Sequence, residues 1–229
     1  MALQKTEAIF LRKQEIRETS LMLVGYSRNL GKFHGLAKGV RGSRAAVPWY
    51  LEPLTLQSVI LYERRRSPWA SIGSCDLIDP FDAVRRRFDA TAYAAFCMEL
   101  VDRMTEIADP YPEIFDLLLA VLRALGGSED LRSPVRYFEV QLLKISGLLP
   151  ELSSFRVSAA ARVELEKMIK LPPEEGLALH LNSRNEEELR PVLQGLFRRA
   201  LDKDLLSRSF LYAAGIEQVP DGLSMAVGA

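Results

Sequence analysis

The apolar residues of this chain change period once, near residue 80, and that switch constrains the fold more than any motif. Before it, Thr6 to Lys13 alternates apolar with polar, Leu21 to Tyr26 is a compact apolar run, and Lys32 to Lys38 alternates again. Leu54 to Tyr62 and Trp69 to Leu77 supply two further strand candidates. Five short strands, with no long helix between them except near residues 44 to 52, predict a small closed barrel, and five is the strand count of an OB-fold. From Asp82 the spacing is helical. Tyr93, Phe96, Cys97, Leu100, Val101, Met104 and Ile107 form one stripe on a long helix that Asp109-Pro110 is expected to end. Helices are predicted at Glu113 to Leu125, stopped by Gly126-Gly127, and at Ser133 to Ser146, with Val135, Phe138, Leu142, Leu143 and Ile145 inward. Others follow at Ala159 to Ile169, Glu186 to Arg199 and Asp202 to Ala214, while Leu177 to Leu181 reads either as a short strand or as an irregular segment. The expected architecture is α+β: a five-stranded OB-fold barrel over residues 1–80, an α-helical bundle over 81–219, and a frayed tail over 220–229.

The chain is formally neutral, yet residues 1–80 hold 12 Lys+Arg against 7 Asp+Glu, leaving the excess of acid to the helical part. The cations concentrate between Gly31 and Arg44. In strand period Lys32, His34, Leu36 and Lys38 share one face and Phe33, Gly35 and Ala37 the other; Arg41 and Arg44 extend the charge into a glycine-rich loop. Such a strip fits a polyanion, or it is a solvated surface strand; the residues alone allow both. An OB-fold flanks its nucleic-acid face with the connections between strands 1 and 2 and between strands 4 and 5, which here carry Lys13 and Arg17, and Arg64, Arg65 and Arg66. Tyr26, Trp49, Tyr50, Tyr62 and Trp69 are either rings for stacking on bases or packing residues. The predicted DNA contacts are Arg12, Lys32, Lys38, Arg41, Arg44, Arg64, Arg65 and Arg66.

Catalytic patterns fail on chemistry. Gly25 to Lys32 has the outline of a P-loop, but Phe33 stands where Mg²⁺ binding needs Ser or Thr, and the glycines at 35, 39 and 42 lack dinucleotide spacing. His34 and His180 are the only imidazoles, and His34 sits beside cations that disfavour its protonated form. Cys75 and Cys97 are expected to be buried, reduced thiols. No cysteine and histidine spacing fits a closed zinc site. An enzyme such as a nuclease would need a metal-binding carboxylate cluster that the sequence does not assemble. No apolar run reaches the ~18 residues of a membrane span, and the chain reads as cytosolic.

Local words in a fixed order complete the reading. Arg17-Glu18-Thr19-Ser20 before an apolar strand, Gly31-Lys32, Ala37-Lys38-Gly39-Val40-Arg41, Ser43-Arg44 and Leu51-Glu52-Pro53 are followed by Tyr93, Glu99-Leu100, Ile114-Phe115-Asp116-Leu117-Leu118 and the run from Phe138 to Leu152. This order resembles the RecO family of bacterial recombination mediators over about residues 3 to 152, and more loosely over Ser207 to Leu211. The resemblance implies a non-enzymatic, nucleoid-associated protein that binds single- and double-stranded DNA and anneals complementary strands. It also implies cooperation with RecR and single-stranded-DNA-binding protein in loading RecA. A contact for the acidic, apolar tail of single-stranded-DNA-binding protein is expected at Arg123, Arg132, Arg136 and Lys144. The alternative is a helical adaptor for that protein or for RecR, with only weak DNA binding of its own. Many members of the family place a four-cysteine zinc site after the Leu-Pro-Glu-Leu word; here Ser153-Ser154-Phe155-Arg156-Val157-Ser158 follows, so no metal or other cofactor is expected.

Overall fold

The computed structural model describes residues 3–16, 18–40, 51–62, 69–201 and 204–218. Five strands, β1 (Leu3–Ile16), β2 (Ser20–Ser27), β3 (Gly31–Ala37), β4 (Leu56–Tyr62) and β5 (Ala70–Asp79), close into a barrel in the order β1-β2-β3-β5-β4. This is a Greek-key closure of the OB type, with a parallel β3–β5 pair (Gly35 opposite Ala70) and antiparallel pairs elsewhere. The barrel needs β1 to turn a corner. A register shift between Phe10 and Arg12 lets its first half pair with β4 and its second half with β2. The helix suggested near residues 44 to 52 falls largely outside the described residues, as does the tail from 219 onward.

All eight residues of β2 are buried, which alternation alone would not predict. Leu21 and Leu23 point into the barrel with Ala8, Phe10, Phe33 and Val59, while Val24 and Tyr26 point outward into one continuous apolar core shared with the helices. That core is built by α1 (Asp82–Arg85), α2 (Phe88–Met104), α3 (Pro112–Gly127), α4 (Arg132–Ile145), α5 (Ala159–Lys170), α6 (Pro173–Gly176), α7 (Ser183–Ala200) and α8 (Leu206–Ala213). The outer face of β1 and β2 is therefore an internal wall. Cys97 is buried, Cys75 is half-buried, and neither is in a disulfide.

Two helix predictions need correction. The first helix stops at Met104, five residues early, because Thr105 turns extended and the chain leaves to meet the barrel: Ala108 donates its N–H to the Lys32 carbonyl at 2.9 Å. Ile107 is consequently half-exposed instead of extending the apolar stripe. The other concerns α4, read as amphipathic, which is buried on every side from Ser133 to Leu143 because α2, α3, α5 and α7 surround it. Leu177 to Leu181 proves irregular.

Arg136 is the consequence of that second correction. Predicted as a surface cation, it is wholly buried, donating to Glu139, Glu186 and Glu217. Burial alone would push its pKa down, but the three surrounding carboxylates hold it charged. Arg208 of α8 closes the network on Glu139 at 2.8 Å and stacks over the Phe96 ring. Arg136 therefore joins α4, α7 and the segment after α8, and no partner protein can reach it.

Candidate nucleic-acid interface

The strand face expected to be basic does exist. On β3, Phe33, Gly35 and Ala37 are buried and Lys32, His34 and Leu36 are half-buried on the opposite side. What that face meets depends on height along the strand. Lys32 lies in a row with Tyr26 and Ile9, and His34 with Val24 and Arg12, so both point toward the wall the helices cover. The Lys32 ammonium donates to the Asp102 carbonyl at 2.5 Å, lies 3.5 Å from its carboxylate, and is 12% exposed. Arg12 Nε donates to the other carboxylate oxygen of Asp102 at 2.7 Å and is 47% exposed. Burial first, and the Arg12 charge second, lower the pKa of His34 below its usual 6.5. These predicted DNA contacts are thus engaged by the last turn of α2.

Further along, the face opens. Leu36 lies in a row with Met22 and Gln14, and Lys38, just past the strand, is exposed with no carboxylate partner among the described residues. The strand ends gather here. Ile16 pairs with Ser20, Leu21 with Ala37, Leu36 with Ser71 and Ser71 with Tyr62. The β1–β2 turn and the β4–β5 connection therefore leave and re-enter the barrel at one rim, and the chain after Lys38 leaves from the same rim but returns at the opposite end, where Leu56 pairs with Ile9 and Asp79. Arg17, Arg41, Arg44, Arg64, Arg65 and Arg66, with Trp49 and Tyr50, belong to those connections and lie outside the described residues.

Among the rings, Tyr26 is core, not a stacking platform: it is fully buried, its hydroxyl donates to the Tyr111 carbonyl at 3.2 Å, and burial pushes its pKa up to about 12. Tyr62 is half-buried with its ring over Gly73, so it packs on β5. Trp69 is half-buried at the start of β5. Lys13 pairs with Glu52, and Arg28 pairs with Asp116 of α3 and lies 5.8 Å from the Phe115 ring centre. Sequence reasoning missed Asp102. It occupies the polar flank of an amphipathic helix, and its meeting with β1 and β3 leaves no local trace.

The remaining helical cations are exposed but scattered. Arg123 lies 3.7 Å from Asp79 of β5, Arg132 donates to the Ile216 carbonyl at 3.4 Å, and Lys144 to the Ile169 carbonyl at 2.7 Å. Twelve residues of helix hold Arg132 and Lys144 roughly 18 Å apart. An open apolar cleft of about 500 Å³ between α3 and α6, lined by Ala120, Ala124, Leu177, Ala178 and Glu174 among others, has no cation in its walls.

Comparison with known proteins draws on both halves. The family model described as "Recombination protein O N terminal" matches residues 1–81, and "Recombination protein O C terminal" matches residues 85–205. The chain belongs to the RecO family. The DNA repair protein RecO of Syntrophus aciditrophicus (strain SB) is 30% identical over 159 residues, covering 69% of this chain and 61% of that protein. That of Syntrophobacter fumaroxidans (strain DSM 10017 / MPOB) is 32% identical over 154 residues, 67% of this chain and again 61% of the relative. The match to these two thus spans about three-fifths of their length. The DNA repair protein RecO of Pelotomaculum thermopropionicum is 28% identical over 255 residues, 97% of this chain and 98% of its own.

The segment where RecO resemblance implies a zinc site does not fit one. After Leu152–Ser154, a single 3₁₀ turn, Phe155 is buried and the Arg162 guanidinium donates to the carbonyls of Leu152 and Phe155, both at 2.8 Å. Ser158 caps α5 and donates its own N–H to Glu188 at 2.8 Å. Among the described residues no three His, Cys, Asp or Glu side chains converge. No helix among them is long and apolar enough to cross a membrane.

Proposed function

We propose that this chain is a DNA-binding recombination mediator that anneals complementary strands and helps load a RecA-type recombinase onto single-stranded DNA. Its contact is centred on Lys38 at the barrel rim, joined by the cations that the sequence places in the adjoining connections, Arg41 and Arg44 after β3 and Arg64, Arg65 and Arg66 between β4 and β5. The observation that carries the reading is Lys38: exposed, without a carboxylate partner among the described residues, and placed where the arginine-bearing connections leave the barrel. Annealing needs no nucleophile or acid. Cations that bind both strands screen their mutual repulsion and hold them close enough to pair. The same reading includes cooperation with RecR and single-stranded-DNA-binding protein, a non-enzymatic role and a place at the nucleoid, and RecO membership supports it.

Each phosphate contact should contribute about −0.7 to the slope of log K against log[salt] on single strands. Replacing Lys38 and Arg41 together with Ala should flatten that slope by roughly 1.4 and slow annealing. Replacing Arg198 and Arg199, exposed on α7, should leave it unchanged. An unaltered slope in the first variant, with the fold intact, sinks the rim assignment and favours the adaptor role.

A further inference from the structure

Asp102 stands in an unusual electrostatic position. It lies in the last turn of α2, where the helix dipole disfavours a carboxylate, yet it is 14% exposed and receives cations from two strands of the barrel. Arg12 meets one of its oxygens and Lys32 the other, as two cations would share a phosphate. Arg12, at 47% exposure, remains open to solvent along one side. Arg12 and His34 also sit on the outer side of β1 and β3, the barrel surface that continues toward Lys38. A polyanion tracking inward from the rim would thus meet Arg12 with its partner position already taken by a negative charge.

We propose that Asp102 is an internal surrogate for a DNA phosphate: it occupies Arg12 and Lys32 and so confines DNA to the cations of the rim. This rests on the DNA-binding reading above. The charge asymmetry between the two halves of the chain is then partly spent internally, and the acidic end of α2 sets how far along the barrel DNA can lie. Lys32 stays in place when the carboxylate is lost, because its ammonium also bonds the Asp102 backbone carbonyl. Arg12 has only the carboxylate to release it.

The test is a salt titration of the full chain with a single-stranded oligonucleotide. Asp102→Asn keeps the side-chain shape and should steepen the slope by about 0.7, one added phosphate contact, equivalent to about fivefold more change in affinity per tenfold change in salt. Glu187→Gln, an exposed carboxylate on α7 with no ion pair among the described residues, controls for general loss of one negative charge. Adding Arg12→Ala to Asp102→Asn should abolish the gain. Arg12→Ala alone should leave the wild-type slope unchanged, a readout that does not depend on how well the Asp102 variant folds. If Arg12→Ala alone flattens the slope by about 0.7, Arg12 already touches phosphate and the surrogate role is overturned. Asp102→Asn behaving like Glu187→Gln overturns it too, leaving Asp102 as a strut between barrel and helices. In both cases the wild type still binds DNA, whereas a wild type with no salt-dependent binding removes the DNA reading along with this one.

Discussion

Replacing Arg136 with Met tests the buried network directly, because the structure shows which group is stranded. Three carboxylates face the guanidinium. After its removal Glu139 keeps Arg208 at 2.8 Å and Glu186 keeps Arg190 at 3.8 Å, but Glu217 has no second ion pair within 4 Å among the described residues and is 5% exposed. Breaking a buried pair while leaving one charge uncompensated costs roughly 3–5 kcal/mol. For a chain of this size each kcal/mol moves Tm by about 2–4 °C, so the variant should melt roughly 6 to 20 °C lower. Thermal and urea unfolding followed by circular dichroism measure it. Adding Glu217→Gln to the Arg136→Met variant removes the stranded charge and should recover at least about 1 kcal/mol, the scale of coupling expected within one network. A loss below about 1 kcal/mol, the value of an exposed ion pair, would refute the account. So would a Glu217→Gln effect that is the same with and without Arg136.

Gly31 has φ +65°, and a Cβ there would lie 2.4 Å from the Asp109 carbonyl oxygen, a backbone atom in the α2–α3 connection. Gly31→Ala should therefore cost more than Gly39→Ala, which at φ +71° meets nothing within 4 Å among the described residues and carries only the left-handed penalty of about 1–2 kcal/mol; equal melting shifts would deny the clash. Chelator-washed protein should contain no stoichiometric zinc by elemental analysis and melt unchanged, whereas Arg162→Ala, which removes both carbonyl contacts, should lose about 1–3 kcal/mol. His34 has a folded pKa below its usual 6.5, so the unfolded chain takes up the proton first. Stability should accordingly fall as pH drops through about 6.5 toward the lower folded value, and His34→Asn should flatten that part of the profile, read by denaturant midpoints across pH.

Much of the fold was legible in the residues. Period-2 alternation marked β1 and β3, a compact apolar run marked β2, and short strand-like segments marked β4 and β5, while the change to helical spacing at Asp82 coincides with the start of α1. The helix predicted from Glu186 starts three residues earlier, at Ser183, because the Asn182 side chain accepts from the Asn185 N–H and caps it. Local signals failed where a distant surface arrives. Met104 ends its helix early because the following residues bond to β3, and β2 is buried on both faces because helices cover its outer side.

The candidate site divides in the same way. Sequence by itself determined which strand is basic and which of its faces carries the charge, because side-chain direction along a strand is a local property. It also determined the family, through words in a fixed order. Only the tertiary structure decided which of those cations are free. Lys32 and Arg12 face α2 and meet Asp102 across 70 and 90 residues of chain, Arg136 is enclosed by carboxylates from α7 and the segment after α8, and Lys38 is left in solvent at the rim. Charge is written in the residue, but whether it is already neutralised depends on what folds against it, and Coulomb attraction acts between neighbours in space whatever their separation along the chain.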